Sequence, residues 1–195
     1  MQQARGDLAA ALASYRAALT IRERLAQADP GNAEWQRDLS VSYDRIGDVQ
    51  VEQGELAAAL TSYRASLAIA ERLAQADPGN AGWQRDLSVS YVKIGNVRQA
   101  QGDLAAALSS YQASLAIRER LAQADPGNAG WQRDLAVSLG NVARVQAQQG
   151  ERAAALRGFQ QARAIIARLR ERSPDNAQLP KGLAWYDEQI ARLPQ

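Results

Sequence analysis

The nonapeptide LAQADPGNA fills residues 25–33 and returns letter for letter at 73–81 and 121–129, 48 residues apart each time. Gly6, Gly54, Gly102 and Gly150 keep the same step, as do Trp35, Trp83 and Trp131. A fixed period of roughly 20 to 50 residues marks a chain built from one supersecondary piece that cannot bury its apolar faces alone, so copies must stack. The expected divisions are units 6–53, 54–101 and 102–149, a divergent unit 150–172 and a C-terminal capping helix 177–193, within one array over 1–195.

Between Asn32 and Gly54, Trp35, Leu39, Ile46 and Val49, with Ser42 at the intervening position, hold one stripe at helical spacing. This is helix A. After Gly54, Leu56, Leu60, Tyr63, Leu67 and Ala70 form one stripe, and Ala58, Ala65, Ile69 and Leu73 form another on a different side. Helix B therefore needs two neighbours, helix A of its own unit and an element of the next. The apolar residues are mostly Ala and Leu, with one Phe, which favours helix and leaves no expectation of sheet.

The repeated nonapeptide reads as the joint between units. Leu25 is expected to pack, Asp29 and Pro30 to stop helix B because Pro supplies no amide, and Gly31 to make the corner. Asn32 is placed to cap the next helix by accepting from its free amides, and Trp35 to fold back near Leu25. Gly47 and Gly54 mark the tight turn inside a unit. The opening QQARGDL reads as the tail of a helix A followed by the start of a helix B, as in a piece of a longer array whose first hairpin has an open edge. SPDNA at 173–177 replays the joint, with Leu183 and Ile190 in phase, Leu179 in place of Trp and Pro194 ending the helix early. That pattern fits a terminal cap.

Composition narrows the function. Hydrophobic residues make up 46% and charged residues 23%, ordinary for a soluble folded chain. The net charge is +2, and the arginines alternate with acids in RERL and WQRDL, so no basic surface for phosphate backbones is concentrated and no nucleic-acid partner is expected. No apolar run reaches membrane length and no signal-peptide zones open the chain, which implies a cytoplasmic setting without a membrane partner. With no Cys and no His, thiolate metal sites and the commonest general base are absent. No P-loop or nucleophile elbow is present either. No catalytic, cofactor or metal site is expected, and the chain does not read as an enzyme.

Tyr43, Ile46, Gly47, Gly54, Ala59, Tyr63 and Ser66, repeated as Tyr91, Ile94, Gly95, Gly102, Ala107, Tyr111 and Ser114, resemble the tetratricopeptide repeat (TPR). The resemblance covers roughly residues 6–172. The family's Pro is displaced seven residues to Pro78, so a unit of about 34 residues becomes 48 by added helical turns, similar to the long-armed repeats of kinesin light chains. The aromatic residue near the end of helix A is replaced by Gln50, Arg98 and Gln146. The resemblance implies an all-α, right-handed superhelical solenoid of stacked antiparallel hairpins with about eight helices, whose concave wall of A helices holds peptides or partner proteins. The family's carboxylate clamp of Lys, Arg and Asn is not reproduced, since Val41, Val89 and Val137, then Asp44, Val92 and Gly140, stand at its positions.

Helical spacing puts Arg37, Val41, Asp44, Asp48 and Val51 on the face opposite the Trp35 stripe, where they are expected to look into the groove. The equivalent faces are Arg85, Val89, Val92, Asn96 and Gln99, then Arg133, Val137, Gly140, Arg144 and Ala147. The units differ most here while the joints are constant, which suits a frame carrying variable contacts, although drift on a solvated face would look the same. Asp44 and Asp48, one turn apart, would either receive a basic peptide or be two hydrated surface carboxylates, and nothing in the sequence encloses them for general acid chemistry. The tryptophans are expected to pack in the core, and the arginines of RER at 22–24 and 118–120 to complement the C-terminal helix dipole. The expected function is a non-catalytic protein-protein interaction scaffold that binds a peptide or partner protein. The alternatives are an architectural or self-associating spacer, pairing through the open N-terminal hairpin, and the sensor arm of a larger signalling enzyme.

Overall fold

A computed structural model describes the backbone of residues 2–193 and the side chains of residues 7–193. The helices are α1 (Gln2–Ala28), α2 (Ala33–Glu52), α3 (Leu56–Ala76), α4 (Ala81–Ala100), α5 (Leu104–Ala124), α6 (Ala129–Gln148), α7 (Arg152–Arg172) and α8 (Gln178–Ala191). No strand is present among the described residues. The chain forms two compact units, residues 1–101 with α1 to α4 and residues 102–195 with α5 to α8. In the first, α2 packs between α1 and α3, and α3 between α2 and α4. In the second, α6 packs between α5 and α7, and α7 between α6 and α8. The fold is an all-α TPR-like helical repeat, with α2, α4 and α6 as A helices and α3, α5 and α7 as B helices.

The joints are built as their sequence implies, with one addition. Asn32 Oδ1 accepts from Trp35 N at 3.1 Å, and Asn80 and Asn128 cap Trp83 and Trp131 in the same way. Asp29, Asp77 and Asp125 each accept from the glycine two residues on, closing the corner after helix B. The addition is the glutamine of WQRDL. Gln36, Gln84 and Gln132 donate through Nε2 to the carbonyls of Ala26, Ala74 and Ala122 at 3.2, 3.1 and 3.0 Å, satisfying a terminal carbonyl of the preceding helix. Tyr43 and Tyr91 add hydroxyl bonds of 3.0 Å to Glu23 and Glu71 of the preceding B helix. At the other end of each A helix, Gly54, Gly102 and Gly150 turn the chain with φ of 80, 80 and 81°.

Several expectations are corrected. Gly47 is not part of a turn but lies inside α2, buried against the Tyr63 ring. Leu25 is exposed, whereas Leu73 and Leu169 are buried, because α1 packs on α2 alone while α3 and α7 each lie between two helices. Gly6 makes no turn, and α1 runs through it unbroken. The three tryptophans are half-buried and absent from the core clusters; Trp83 lines a cavity of about 360 Å³ with Pro30, Gln36 and Ile69 at the margin of the first unit. The arginines of RER reach further than the helix end. Arg22 donates to Ser42 Oγ at 2.7 Å, and buried Arg118 donates to Asp134 O at 2.9 Å and Ser138 Oγ at 3.2 Å, because positions 22 and 118 face the following A helix.

The core of the first unit gathers Ala59, Leu60, Tyr63, Ile94 and Val97. The second gathers Phe159, Ile165, Ile166, Leu169, Leu179, Leu183 and Tyr186 around Ala136, Ala143 and Ala162. Each large apolar side chain so buried contributes about 1.5–3 kcal/mol. Small residues at the crossings let the helices approach: Ser40 and Ser66 meet hydroxyl to hydroxyl at 3.1 Å, fully enclosed.

Candidate interaction surface

In the first unit the inner wall is made by α2 and α4, joined by two ion pairs. Arg37 Nε donates to Asp86 Oδ2 at 2.6 Å, and the Asp86 bond raises the Arg37 pKa. Toward the other end, Lys93 Nζ lies 2.5 Å from Asp48 Oδ1 and 5.0 Å from the centroid of the Tyr63 ring. The Tyr63 hydroxyl also donates to Asp48 Oδ1, at 2.7 Å, and Arg45 stands 4.0 Å from Oδ2. Burial, and then Asp48, push the Tyr63 hydroxyl well above the ordinary tyrosine value. Asp48 is thus a junction of α2, α3 and α4, with its charge already matched.

Asp44 differs from the expected hydrated surface carboxylate. It is largely enclosed between the helices, and its Oδ1 is buried with no hydrogen-bond partner in the structure. Burial raises its pKa, opposed by the charge of Lys93 and a bond from Ser66. The groups that enclose it come from α3 and α4. Its neighbour Lys93 lies one repeat away, which spacing along α2 alone does not reveal.

Beside this junction a cavity of about 540 Å³ is lined by Tyr15, Asp48, Val51, Tyr63, Lys93 and Asn96, among others. Three of the residues expected in the groove, Asp48, Val51 and Asn96, therefore meet there. Val41 and Arg85 are exposed along the same wall, and Val89, Val92 and Gln99 are half-buried.

The second unit treats the same face differently. Arg133 and Val137 are exposed, but Gly140 is buried because the Tyr186 ring of α8 lies on it, within 3.0 Å of where a Cβ would stand. The Tyr186 hydroxyl donates to Ala136 O at 2.8 Å, and burial pushes its pKa up to about 12. Arg144 reaches the Tyr111 hydroxyl at 3.3 Å, and Ala147 is half-buried. A cavity of about 290 Å³ lies among Arg133, Val137, Arg144, Gly182, Trp185 and Tyr186. Trp185 is the residue that sequence reasoning missed. It stands one period after Val137, so Val41, Val89, Val137 and Trp185 occupy one repeat position, and that phase was the available signal. Its ring meets Phe159 edge-on at 6.1 Å and Tyr186 at 4.9 Å.

Among the described residues, the exposed large apolar side chains are Tyr15, Ile21, Leu25, Val41, Val51, Val137 and Trp185. In the first unit Tyr15 and Val51 line the cavity beside Asp48, Val41 lies on α2, and Ile21 and Leu25 lie on α1; in the second, Val137 and Trp185 lie on α6 and α8. No three Asp or Glu side chains among the described residues gather as a metal site, and no helix there is long and apolar enough to cross a membrane.

A family model described as tetratricopeptide repeat matches residues 88–126. That stretch runs from the middle of α4 through α5 to the joint, and residues 40–78 match it at 29 of 39 positions. The matched stretch is similar to a tetratricopeptide repeat. TPR arrays typically serve as protein-interaction scaffolds, and the two cavities described above lie on the face of the repeat where its sequence varies most. Among solved structures, BtubC (BKLC) from P. vanneervenii is similar in fold at 18% identity, with 95% of this chain and 73% of that chain covered and a TM-score of 0.54. MamA aligns at 15% identity over 98% of this chain and 93% of its own, with a TM-score of 0.48. A search of curated protein sequences finds no match.

Proposed function

We propose that this TPR chain is a non-catalytic scaffold that holds a peptide segment of a partner protein against the inner faces of its A helices. The observation that carries the reading is the row at one repeat position: Val41, Val137 and Trp185 are 39%, 42% and 38% exposed on helices whose other large apolar residues are mostly covered. Within each unit, exposed apolar side chains rimmed by charge are the usual mark of a docking surface. Arg133 and the Asp48–Lys93 junction supply polar groups that would fix a peptide's register. The constant joints would hold the wall in place while positions 44, 48 and their equivalents set the choice of partner.

Selection of a random linear-peptide library on the purified chain tests this. Enriched peptides are expected to lose at least about tenfold in affinity for Val41→Asp, Val137→Asp or Trp185→Ala, the scale of a central anchor in an interface. Arg64→Glu and Gln160→Glu, exposed on B helices, should leave affinity unchanged. Failure to enrich any peptide, or peptides indifferent to the wall variants, would reject the proposal.

A further inference from the structure

The internal repeat lets the charges of one unit's wall be compared with those of the other. In the first unit Arg37 of α2 donates to Asp86 of α4 at 2.6 Å, and Asp48 of α2 is paired with Lys93 of α4. Two periods on, in α6 and α8, the positions of Arg37, Asp44, Asp48, Asp86 and Lys93 hold Arg133, Gly140, Arg144, Gly182 and Gln189. No carboxylate is left at these positions, and two guanidinium groups stand there.

Arg133 is the residue most affected. The position that gives Arg37 its partner Asp86 is Gly182 for Arg133, and Glu34, which also favours the charge of Arg37, is replaced by Gly130. Among the described residues, no hydrogen bond or ion pair is formed by the Arg133 side chain, which is exposed. Asp134 is next to it in the chain, and adjacent residues on a helix do not face one another. The acids of α8 are engaged elsewhere, Asp187 with Arg163 of α7 and Glu188 with Arg192. Neither lines the cavity of about 290 Å³ beside Arg133, whose lining includes Arg133 and Arg144 but no Asp or Glu. The first-unit cavity, by contrast, is lined by Asp48 and Glu52 as well as Arg45 and Lys93.

Gly182 leaves space as well as unmatched charge. It lines the cavity, and a Cβ there would meet only Ile166 Cγ2, at an ordinary contact distance of 3.5 Å. A side chain at 182 is therefore sterically allowed, and its absence opens the place that the Asp86 carboxylate fills in the first unit. We infer that the bound peptide supplies the missing group: an Asp or Glu side chain enters this cavity and pairs with Arg133 as Asp86 pairs with Arg37. The Arg fork matches a carboxylate with two parallel hydrogen bonds, and Arg144 in the same lining adds to the positive potential. Val137 follows Arg133 by one helical turn, about 6 Å, and an extended peptide covers about that distance in two residues. The acid thus sits within two residues of an apolar side chain that packs on Val137 and Trp185. The inference rests on the peptide-binding reading and names the chemistry of the peptide that the second unit takes.

Peptides enriched from the random library, resynthesised with acetylated and amidated ends so that only side chains carry charge, test the inference by fluorescence anisotropy. They are expected to hold an Asp or Glu within two residues of a large apolar side chain. Changing that acid to Asn or Gln should weaken binding about tenfold, the scale of one charge-assisted pair. Arg133→Glu should lose the same factor and prefer peptides in which the acid is replaced by Lys. Gly182→Asp, which sets a carboxylate of the chain's own against Arg133, should weaken binding as much, whereas Gly182→Ala, which adds a side chain without charge, should bind as the unmodified chain does. Circular dichroism checks the folding of each variant, which the exposure of Arg133 and the open space at Gly182 favour. Enriched peptides that all ignore Trp185→Ala, that need Trp185 but carry no acid, or that bind Gly182→Asp unchanged, would overturn the inference and leave the scaffold reading standing. Binding lost only when the C-terminal carboxylate is amidated would also overturn it, by assigning the charge to the peptide's end. A library from which nothing enriches removes the scaffold reading and the inference together.

Discussion

A Cβ placed on Gly47 would lie 2.5 Å from Cε1 of Tyr63. The closeness of α2 and α3 is thus set by one missing methyl group. In the second unit the same economy is made from the other side: α6 carries Ala143, and α7 answers with Gly158, whose Cβ would lie 2.9 Å from that of Ala143.

Gly47→Ala is therefore expected to cost about 1–3 kcal/mol by overpacking. The effect is diagnostic because alanine is the better helix former by about 1 kcal/mol, so propensity alone predicts the opposite sign. Urea unfolding monitored by far-ultraviolet circular dichroism reads the difference. A midpoint that rises would show that the hairpin opens without penalty.

Asp44 yields a pH-dependent prediction. Its carboxyl is raised in the folded chain by burial, so the folded state disfavours the charge, and the loss of stability is complete above the folded value and absent below the ordinary carboxylate value. Asp44→Asn should stabilise the chain by about 1 kcal/mol at neutral pH, an advantage that fades as pH falls through about 4. Equal stability of the two proteins at pH 7 would contradict the burial argument.

Tyr186 carries the opposite end of the pH scale. Its hydroxyl ionises at about 12 in the folded chain because it is buried. An unfolded tyrosine ionises near about 10, so stability should decline from that pH upward. Tyr186→Phe should remove this part of the alkaline loss while costing about 1 kcal/mol at neutral pH for the bond to Ala136 O. Thermal melts between neutral and alkaline pH compare the two.

At the joints, Asn80→Ala should cost about 1 kcal/mol through the lost cap on Trp83 N. Trp83→Ala should cost about 2 kcal/mol, less than the burial of a full core tryptophan, because the ring is only half-buried. Chemical denaturation of the two variants ranks them.

The joints were legible because their chemistry is local: Asp29, Pro30 and Asn32 act on backbone groups within three residues. The helix bounds and the repeat followed from the same punctuation and from the two stripes on each B helix. The role of Gln36 was hidden because its partner carbonyl, on Ala26, lies in the helix before the joint. Asp44 was misplaced for a similar reason, since its burial depends on Ser66 and Lys93 from two further helices. Gly47 looked like a turn residue because glycine serves both turns and close approaches, and only the ring of Tyr63 decides between them. Trp185 stood in phase with the valines of the wall but outside the repeated text, and its packing on Phe159 and Tyr186 joins residues from two helices.

Hydrogen–deuterium exchange on the chain with and without a peptide selected from the library tests the central claim most directly. The account predicts slowed exchange on peptide addition in the segments around 41–51, 89–99, 133–147 and 181–188, with α3, α5 and the free side of α1 unchanged. Protection confined to α1, or spread over the B helices with the A-helix segments unaffected, would contradict it.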